Sequence, residues 1–498
     1  FAIQAAINAA ATPQSRVHIP AGNYRITSRL TLVSNVWIYG DGDGTYLDFS
    51  SPADSNDHLF YWSGTNLDDV TISDMRMRGN GLDLGDRSAQ GAAVLISGTG
   101  AVSRPKVLRC RIERFRFGVN IYSATLVTHP EVRDCGIDAC SYTGIQLWGV
   151  YGAHAGGNHI DCTRAAIGDG LAGLVGIFTP GSGTNVFTVV DGNHVTGSRY
   201  EAINAQGKGT TVTGNTINGS AETGISVEPA QDVLAAGDLV RSTTVAGNTV
   251  FDCVGQCIVV RHDPVNTPES VGQVSITGNA TSGGNVGIRI GQDESGTSGP
   301  FDVSVVGNTC SEHDTIAIRI IKGTRIALAG NVADGVSAGL SIESTSTIVS
   351  VTGGSYRGTG ASGDGIRIID SVSHVTVSGP VIHNVGRYGI FITNTANNVQ
   401  INDHVIIDDQ GSPTMVAAVQ DESTGSDIHV GNPVPGGRLL APPSYLSTYY
   451  YFATSSQALT TSAALGNTYV RVGPWLVTSA LSISRFNAEI TSAGEAGS

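Results

Sequence analysis

Charge is scarce in this chain: only 14% of its 498 residues are Asp, Glu, Lys or Arg, against roughly 25% in an average soluble domain. Long stretches of Leu, Glu and Lys are missing as well, which excludes a helical repeat as the main architecture. No apolar run approaches the ~18 residues of a membrane span, so no membrane partner is expected. The basic surplus that a nucleic-acid surface needs is absent too, because the formal net charge is −14. The seven cysteines contain no C-x2-C pair. Cys135/Cys140 and Cys253/Cys257 have the wrong spacing for paired zinc ligands, and no metal or other cofactor is expected. An odd cysteine count without a framework points to folding in a reducing cell. Cys110, Cys135 and Cys162 lie about one repeat apart and are expected to stack as small inward apolar groups. An initiator Met and a signal peptide are also lacking; the sequence starts inside a motif, and the native N-terminus is expected to lie upstream.

What the chain has in excess is glycine, 65 residues, and it recurs at intervals. Gly-Asn steps end at Asn193, Asn215, Asn248, Asn279, Asn308 and Asn331, spaced 22 to 33 residues apart. After each step comes a Gly/Ala-Ile strand, such as Gly224-Ile225-Ser226-Val227 or Gly287-Ile288-Arg289-Ile290. A period of roughly 20–50 residues means a solenoid, propeller or array. Apolar residues alternate with period two rather than 3.6, so the units are strands. A propeller blade needs about 40–45 residues, which the shortest units cannot supply. Coils of two or three short strands fit, with Ile stacked over Ile every ~4.8 Å in a parallel array. Asn at the turn tolerates left-handed backbone and, stacked on itself, makes a side-chain ladder. The crossover rule makes the coil right-handed. The expected fold is all-β: a right-handed single-stranded parallel β-helix that absorbs most of the chain.

In chain order, residues 1–16 read as a short N-terminal capping helix, with Ile3 and Ile7 on one face and Pro13 as a stop. The β-helix is expected over 17–431. Residues 432–443, rich in Pro and Gly, read as a linker, and 444–498 as a small C-terminal β-sandwich-like module cut short. The opening strings Ala2-Ile3-Gln4-Ala5-Ala6-Ile7, Ile19-Pro20-Ala21-Gly22-Asn23-Tyr24 and Val36-Trp37-Ile38-Tyr39-Gly40-Asp41-Gly42 resemble the start of pectate-lyase-type β-helix proteins, a superfamily that includes many bacteriophage tailspikes. The end, from Leu481 to Gly494, resembles a small module on tail proteins of phages that infect actinobacteria. The resemblance implies a virion tail protein, a homotrimer among other tail proteins, acting outside the cell on a host envelope polysaccharide. A secreted bacterial lyase or epimerase is the alternative, as is a tail component that binds without catalysis, since fold does not settle chemistry.

Aligning the strands on Ile turns the residues one and three positions later outward. One face then carries a stripe that includes Trp148, Gln206, Glu228, Arg261, Arg289 and Arg319. Aromatics stack on sugar rings, while amides and Arg bond hydroxyls and carboxylates. Three consecutive coils carry extra residues after this same strand, Pro229 to Val240, Pro264 to Gly272 and Asp293 to Pro300, and loops placed by a rigid scaffold wall sites. Glu228, Arg261, His262, Asp263, Asp293 and Glu294 gather at that edge. Asp263 and Asp293 would have backbones ~5 Å apart, with Glu228 roughly 8 Å away. Glycosidase carboxylates stand ~5–5.5 Å apart in retaining enzymes and ~6.5–9.5 Å in inverting ones, so Glu228, Asp263 and Asp293 are the candidate catalytic carboxylates with both outcomes open. Trp148, Gln206, Arg261, His262, Arg289, Glu294 and Arg319 are the candidate substrate-binding residues. In a lyase, Arg261 or His262 would instead abstract a proton beside a uronate. Glu201 with Tyr200 marks a second candidate at the other end of its strand, and His159 and His194 read as turn or stack residues.

Overall fold

The computed structural model of the chain describes residues 2–10, 15–50, 57–79, 91–163, 175–180, 185–229, 240–261, 271–291, 299–408 and 414–431. The linker 432–443 and the C-terminal module 444–498 lie outside the described residues. A stack of about 13 parallel turns makes up the described part, preceded by one short helix.

Each turn uses three short strands, as one coil shows. Glu201–Ala205 lies in a front sheet, Thr211–Thr213 in a second sheet and Thr216–Asn218 in a third. Thr223–Val227 then returns to the front sheet one level on. Every pairing along the stack is parallel, and in the front sheet the register runs Ile203↔Ile225↔Ile258↔Ile288↔Ile318↔Leu340↔Ile366↔Ile390. These side chains are buried, so the interior is a column of branched apolar residues. Parallel pairing with right-handed crossovers gives the β-helix expected from the sequence. Ile258→Ala would open a cavity in that column, and a loss of about 2–5 kcal/mol is expected in urea unfolding.

The corner between the second and third sheets explains the Gly-Asn steps. Gly247 has φ +62, a conformation glycine adopts without penalty. The asparagine after it turns inward and joins a ladder that runs Asn158, Asn193, Asn215, Asn248, Asn279, Asn308, Asn331. Each member above Asn331 donates both its backbone N–H and its Nδ2 to the next Oδ1, at 2.9–3.0 Å.

The seven cysteines are all free and buried. They do not form the single three-membered stack expected. Cys110 and Cys135 occupy the ladder corner, where the Cys135 N–H donates to Asn158 Oδ1 at 3.0 Å. Cys162 belongs to the next corner, because Asp138 pairs with Asp161 and places it beside Cys140. Spacing alone misled here, since the coils differ in length. At the open end, helix Ala2–Ala9 buries Ile7, and the Gln4 side-chain amide pairs with Thr31 like a strand, accepting from its N–H at 2.6 Å and donating to its carbonyl at 3.0 Å.

Candidate functional site

Strict alternation fails at one place in the regular front-sheet strands such as Glu201–Ala205 and Thr223–Val227. The small residue before Ile points inward, and so does Ile itself: a Cβ at Gly224 would meet Val250 and Cys253 side chains, while Ala202 and Ile203 are both buried. The residue before the small one therefore faces out. That kink puts Glu201 on the same outer face as Asn204, Gln206 and Glu228.

Arg261 gathers the acids of this face. From its own coil it reaches back across two levels, its Nε bonded to Glu228 Oε2 and its Nη2 to Glu201 Oε1 at 3.1 Å. Glu222 stands at the rim, 3.8 Å from Nη1, and Asn204 Nδ2 donates to Glu228 Oε1 at 2.6 Å. Glu201 and Glu228 are 8% and 5% exposed, so the cluster is sheltered from solvent although it lies outside the helix interior. Burial, and then the nearby Glu228 carboxylate, push the Glu201 carboxyl up to about 7, against the opposing pull of Arg261. Burial favours the neutral form of Arg261, but the Glu228 and Glu201 carboxylates more than offset it and hold the guanidinium charged. A carboxylic acid that titrates near neutrality beside a second carboxylate can donate a proton at physiological pH.

The outer face also holds polar atoms without partners. Among the described residues, Asn120 Oδ1, Asn204 Oδ1 and Ser226 Oγ are buried and make no hydrogen bond. All three sit in the central outward row, where Asn120 pairs with Gln146 and Asn204 with Ser226. Leaving such groups unmet costs about 1–3 kcal/mol each.

Of the residues singled out from the sequence, Glu228 and Arg261 meet directly. Gln206 is buried one level from Glu228 on the same face. Trp148 is 39% exposed and lies 6.3 Å from Tyr122, three levels away from Glu228. Arg289 and Arg319 are paired neighbours further along the sheet, apart from the Arg261 cluster. His262, Asp263, Asp293 and Glu294 lie outside the described residues. The described strands do show that the three insertions leave from equivalent positions, since Val227, Val260 and Ile290 are in register. His159 and His194 pack edge to face at 4.8 Å on the third sheet. Sequence reasoning left Glu201 at the far end of its strand and did not single out Glu222. The reach of Arg261 unites them, and no spacing rule encodes that reach.

No protein-family model matches the chain, and no curated protein matches it in sequence. Solved structures do resemble it. The tailspike protein of E. coli bacteriophage HK620, in complex with a pentasaccharide, aligns over 86% of this chain and 76% of its own, with TM-score 0.53 and 16% identity. A mutant of that tailspike, also with pentasaccharide, aligns over 86% and 73% with TM-score 0.54 and 15% identity. The A-module of Azotobacter vinelandii mannuronan C-5 epimerase AlgE6 aligns over 87% and 94%, with TM-score 0.38 and 14% identity. At these identities the likeness is one of fold: the chain is a parallel β-helix of the architecture that the tailspike displays.

Proposed function

We propose that this protein binds a polysaccharide along the outer face of its front sheet and hydrolyses it at the Glu201/Glu228 pair. The observation that carries the proposal is a buried carboxyl raised to about 7 that shares one guanidinium with a second carboxylate. Glu201 gives its proton to the glycosidic oxygen as the C–O bond breaks. Glu228, positioned by Arg261 and Asn204, either takes a proton from the attacking water or attacks the anomeric carbon before water releases the sugar. Both routes add one water across the bond. In the first, the water's proton ends on Glu228 and returns to Glu201 by exchange through solvent; in the second, the Glu201 carboxylate takes it from the water that releases the sugar. Asp263 and Asp293 remain proposed members of the same edge, since Asp263 follows Arg261 by two residues.

The architecture shared with a pentasaccharide-bound tailspike supports the glycan part of this reading. A phage virion tail, with the chain trimeric among other tail proteins, is the setting we propose for it. Elimination by Arg261 fits the site less well, because a guanidinium held charged between carboxylates is a poor base. No helix among the described residues is long and apolar enough to cross a membrane.

The test is mass spectrometry of oligosaccharides released from a panel of bacterial envelope glycans. Products carrying the mass of one added water are expected, and Glu228→Gln should lower their yield by at least about 10²-fold. Products with an unsaturated end would replace hydrolysis by elimination. Binding without release would leave an adsorption protein.

A further inference from the structure

Aromatic residues make up only 6% of the chain, yet its most exposed rings are gathered in one place. Among the described residues, the four most exposed Phe, Trp or Tyr side chains are Trp148, Tyr151, Phe187 and Tyr200, which fall on three neighbouring levels. Trp148 belongs to an outward row of the front sheet, and Tyr200 precedes Glu201. Tyr151 and Phe187 belong to neither place. They stand past the bend at Gly149, where φ is +67, on the corner that joins the front sheet to the second. The three insertions leave the front sheet at this same corner, beginning two levels beyond Phe187.

The fold gives these rings fixed seats. Tyr151 pairs with Val186 and Val186 with Lys208, so the corner climbs one residue per level. His129, Gly152, Phe187 and Gly209 are the residues that follow at each level. Their N–H groups donate upward, His129 to the Tyr151 carbonyl at 2.7 Å, Gly152 to Val186 at 2.9 Å and Phe187 to Lys208 at 2.8 Å. The His129 ring lies against Gly152 and the Phe187 ring against Gly209, where an added Cβ would come 2.9 Å and 2.7 Å from a ring carbon. Tyr151 stands between the two rings, edge to face, 5.8 Å from His129 and 5.7 Å from Phe187. The backbone is left-handed at every one of these positions: φ is +51 at His129, +58 at Phe187 and +65 at both glycines. Glycine adopts that conformation freely, whereas a bulky side chain resists it. Phe187 is 56% exposed, so burial does not offset the strain. A strained ring turned to solvent, with glycine seating it one level on, points to a use outside folding.

We propose that His129, Tyr151 and Phe187 form a second glycan site, on the corner beside the front sheet, which anchors the polysaccharide by stacking on its sugar rings and takes no part in cleavage. The inference rests on the glycan reading above. Two observations select a glycan over a second copy of the chain. Strand Thr143–Tyr151 carries Gln146 and Trp148 on the front sheet and then Tyr151 at the corner, so the rings continue the face that the glycan reading uses. Trp148, Tyr151 and Phe187 together expose roughly 300 Å², taking about 150–250 Å² for each whole ring, whereas a stable protein interface buries about 800 Å² on each partner. A polysaccharide offers apolar ring faces at regular intervals, and three rings spaced 5.7–5.8 Å apart give it repeated contacts. The Tyr151 hydroxyl and the His129 ring nitrogens supply hydrogen-bonding groups for its hydroxyls. Phe187 stands two levels before Glu228, about 10 Å along the stack, so the anchored sugars lie apart from the bond that is cut. A polymer held at both places dissociates more slowly than one held at either, without any change at the catalytic pair.

The experiment measures binding of the full chain to the purified bacterial envelope polysaccharides of the release panel, with Glu228→Gln as the parent so that the polymer stays intact. Adding Tyr151→Ser and Phe187→Asn removes both rings. Asparagine tolerates left-handed backbone, so the melting temperature should hold or rise. Affinity for intact polysaccharide should fall at least about 10-fold, while Tyr151→Phe, which keeps the ring, should preserve it. With Glu228 restored, the Tyr151→Ser, Phe187→Asn protein should cleave short oligosaccharides at the wild-type rate. Unchanged affinity for the polymer would overturn this inference and leave the glycan reading standing. Equal losses on polymer and short oligosaccharides would also overturn it, by placing the rings in the cleavage cleft. A drop in molar mass by light scattering would overturn it too, by making the rings a contact between copies. Absence of binding by the parent to every polysaccharide would overturn both readings.

Discussion

Replacing Glu201 with Gln is expected to cut glycan cleavage by roughly 10²–10⁴-fold, to leave glycan affinity within a few-fold, and to make the protein more stable above neutral pH. The first effect follows from losing the only proton that the Glu201/Glu228 pair can deliver to a leaving oxygen near pH 7. The third follows from linkage. The Glu201 carboxyl rises from the ordinary glutamate value of 4.5 to about 7 in the folded chain, chiefly through burial and then through Glu228. The folded state therefore holds this proton more tightly than the unfolded state does. The resulting contribution is full below about pH 4.5, shrinks as pH rises from there and is gone above about 7. Glutamine is neutral throughout and escapes that loss, worth about 3 kcal/mol at most. Melting temperature against pH, for both proteins, measures it. A purely structural ion pair would behave in the opposite way, with Glu201→Gln less stable at pH 8. Cleavage by the wild type should fall on the alkaline side, above about 7, as Glu201 loses its proton.

The repeating units of this chain are legible because the β-helix repeats one physical constraint at each level. Ile at the inward position, Gly where φ is positive and Asn at the ladder each leave a mark at the same offset, so turns, strands and the inward row can be read from spacing. The outward residues one and three places after Ile are legible for the same reason, and Glu228 and Arg261 were found that way. Glu201 was harder. The inward small residue beside Ile breaks the alternation near the start of the strand, and a side chain there changes face without any change in spacing. Arg261 reaches Glu201 only because it is long enough to span two levels, and Glu222 lies in a turn one level from Arg261, where no alternation applies. The cysteines show the same limit from another side. Equal spacing suggested one stack, but coils of unequal length put Cys162 at a different corner from Cys110 and Cys135. Sequence offsets fix a residue within its own turn, and contacts between turns need the coil lengths as well.

Asn248→Ala should cost about 3–5 kcal/mol in urea unfolding, with cleavage unchanged at temperatures where the variant is folded. Asn248 is 1% exposed. Its Nδ2 donates to the Val212 carbonyl at 3.0 Å and to Asn279 Oδ1 at 2.9 Å, and its Oδ1 accepts both the N–H and the Nδ2 of Asn215 at 2.9 Å. Alanine removes all of these at once: the Asn215 backbone N–H loses its acceptor, and Asn215 Nδ2, the Val212 carbonyl and Asn279 Oδ1 each lose one bond, although Asn215 Nδ2 keeps the Val190 carbonyl and Asn279 Oδ1 keeps the Asn248 N–H. Asn248→Asp tests the same point with nearly unchanged shape. The carboxylate can still accept from Asn215 but cannot donate to Val212 or Asn279, and it places a charge against a carbonyl oxygen. It should therefore be at least as damaging as alanine, and worse as pH rises through the carboxylate range. A cost below about 1 kcal/mol for both variants would mean that apolar stacking holds the levels together and the asparagines only shape the turn. A ladder that bears this load also accounts for its own repetition: each amide satisfies the one before it, so the unit that suffices for one turn suffices for all, and the stack can lengthen without a new solution at every corner.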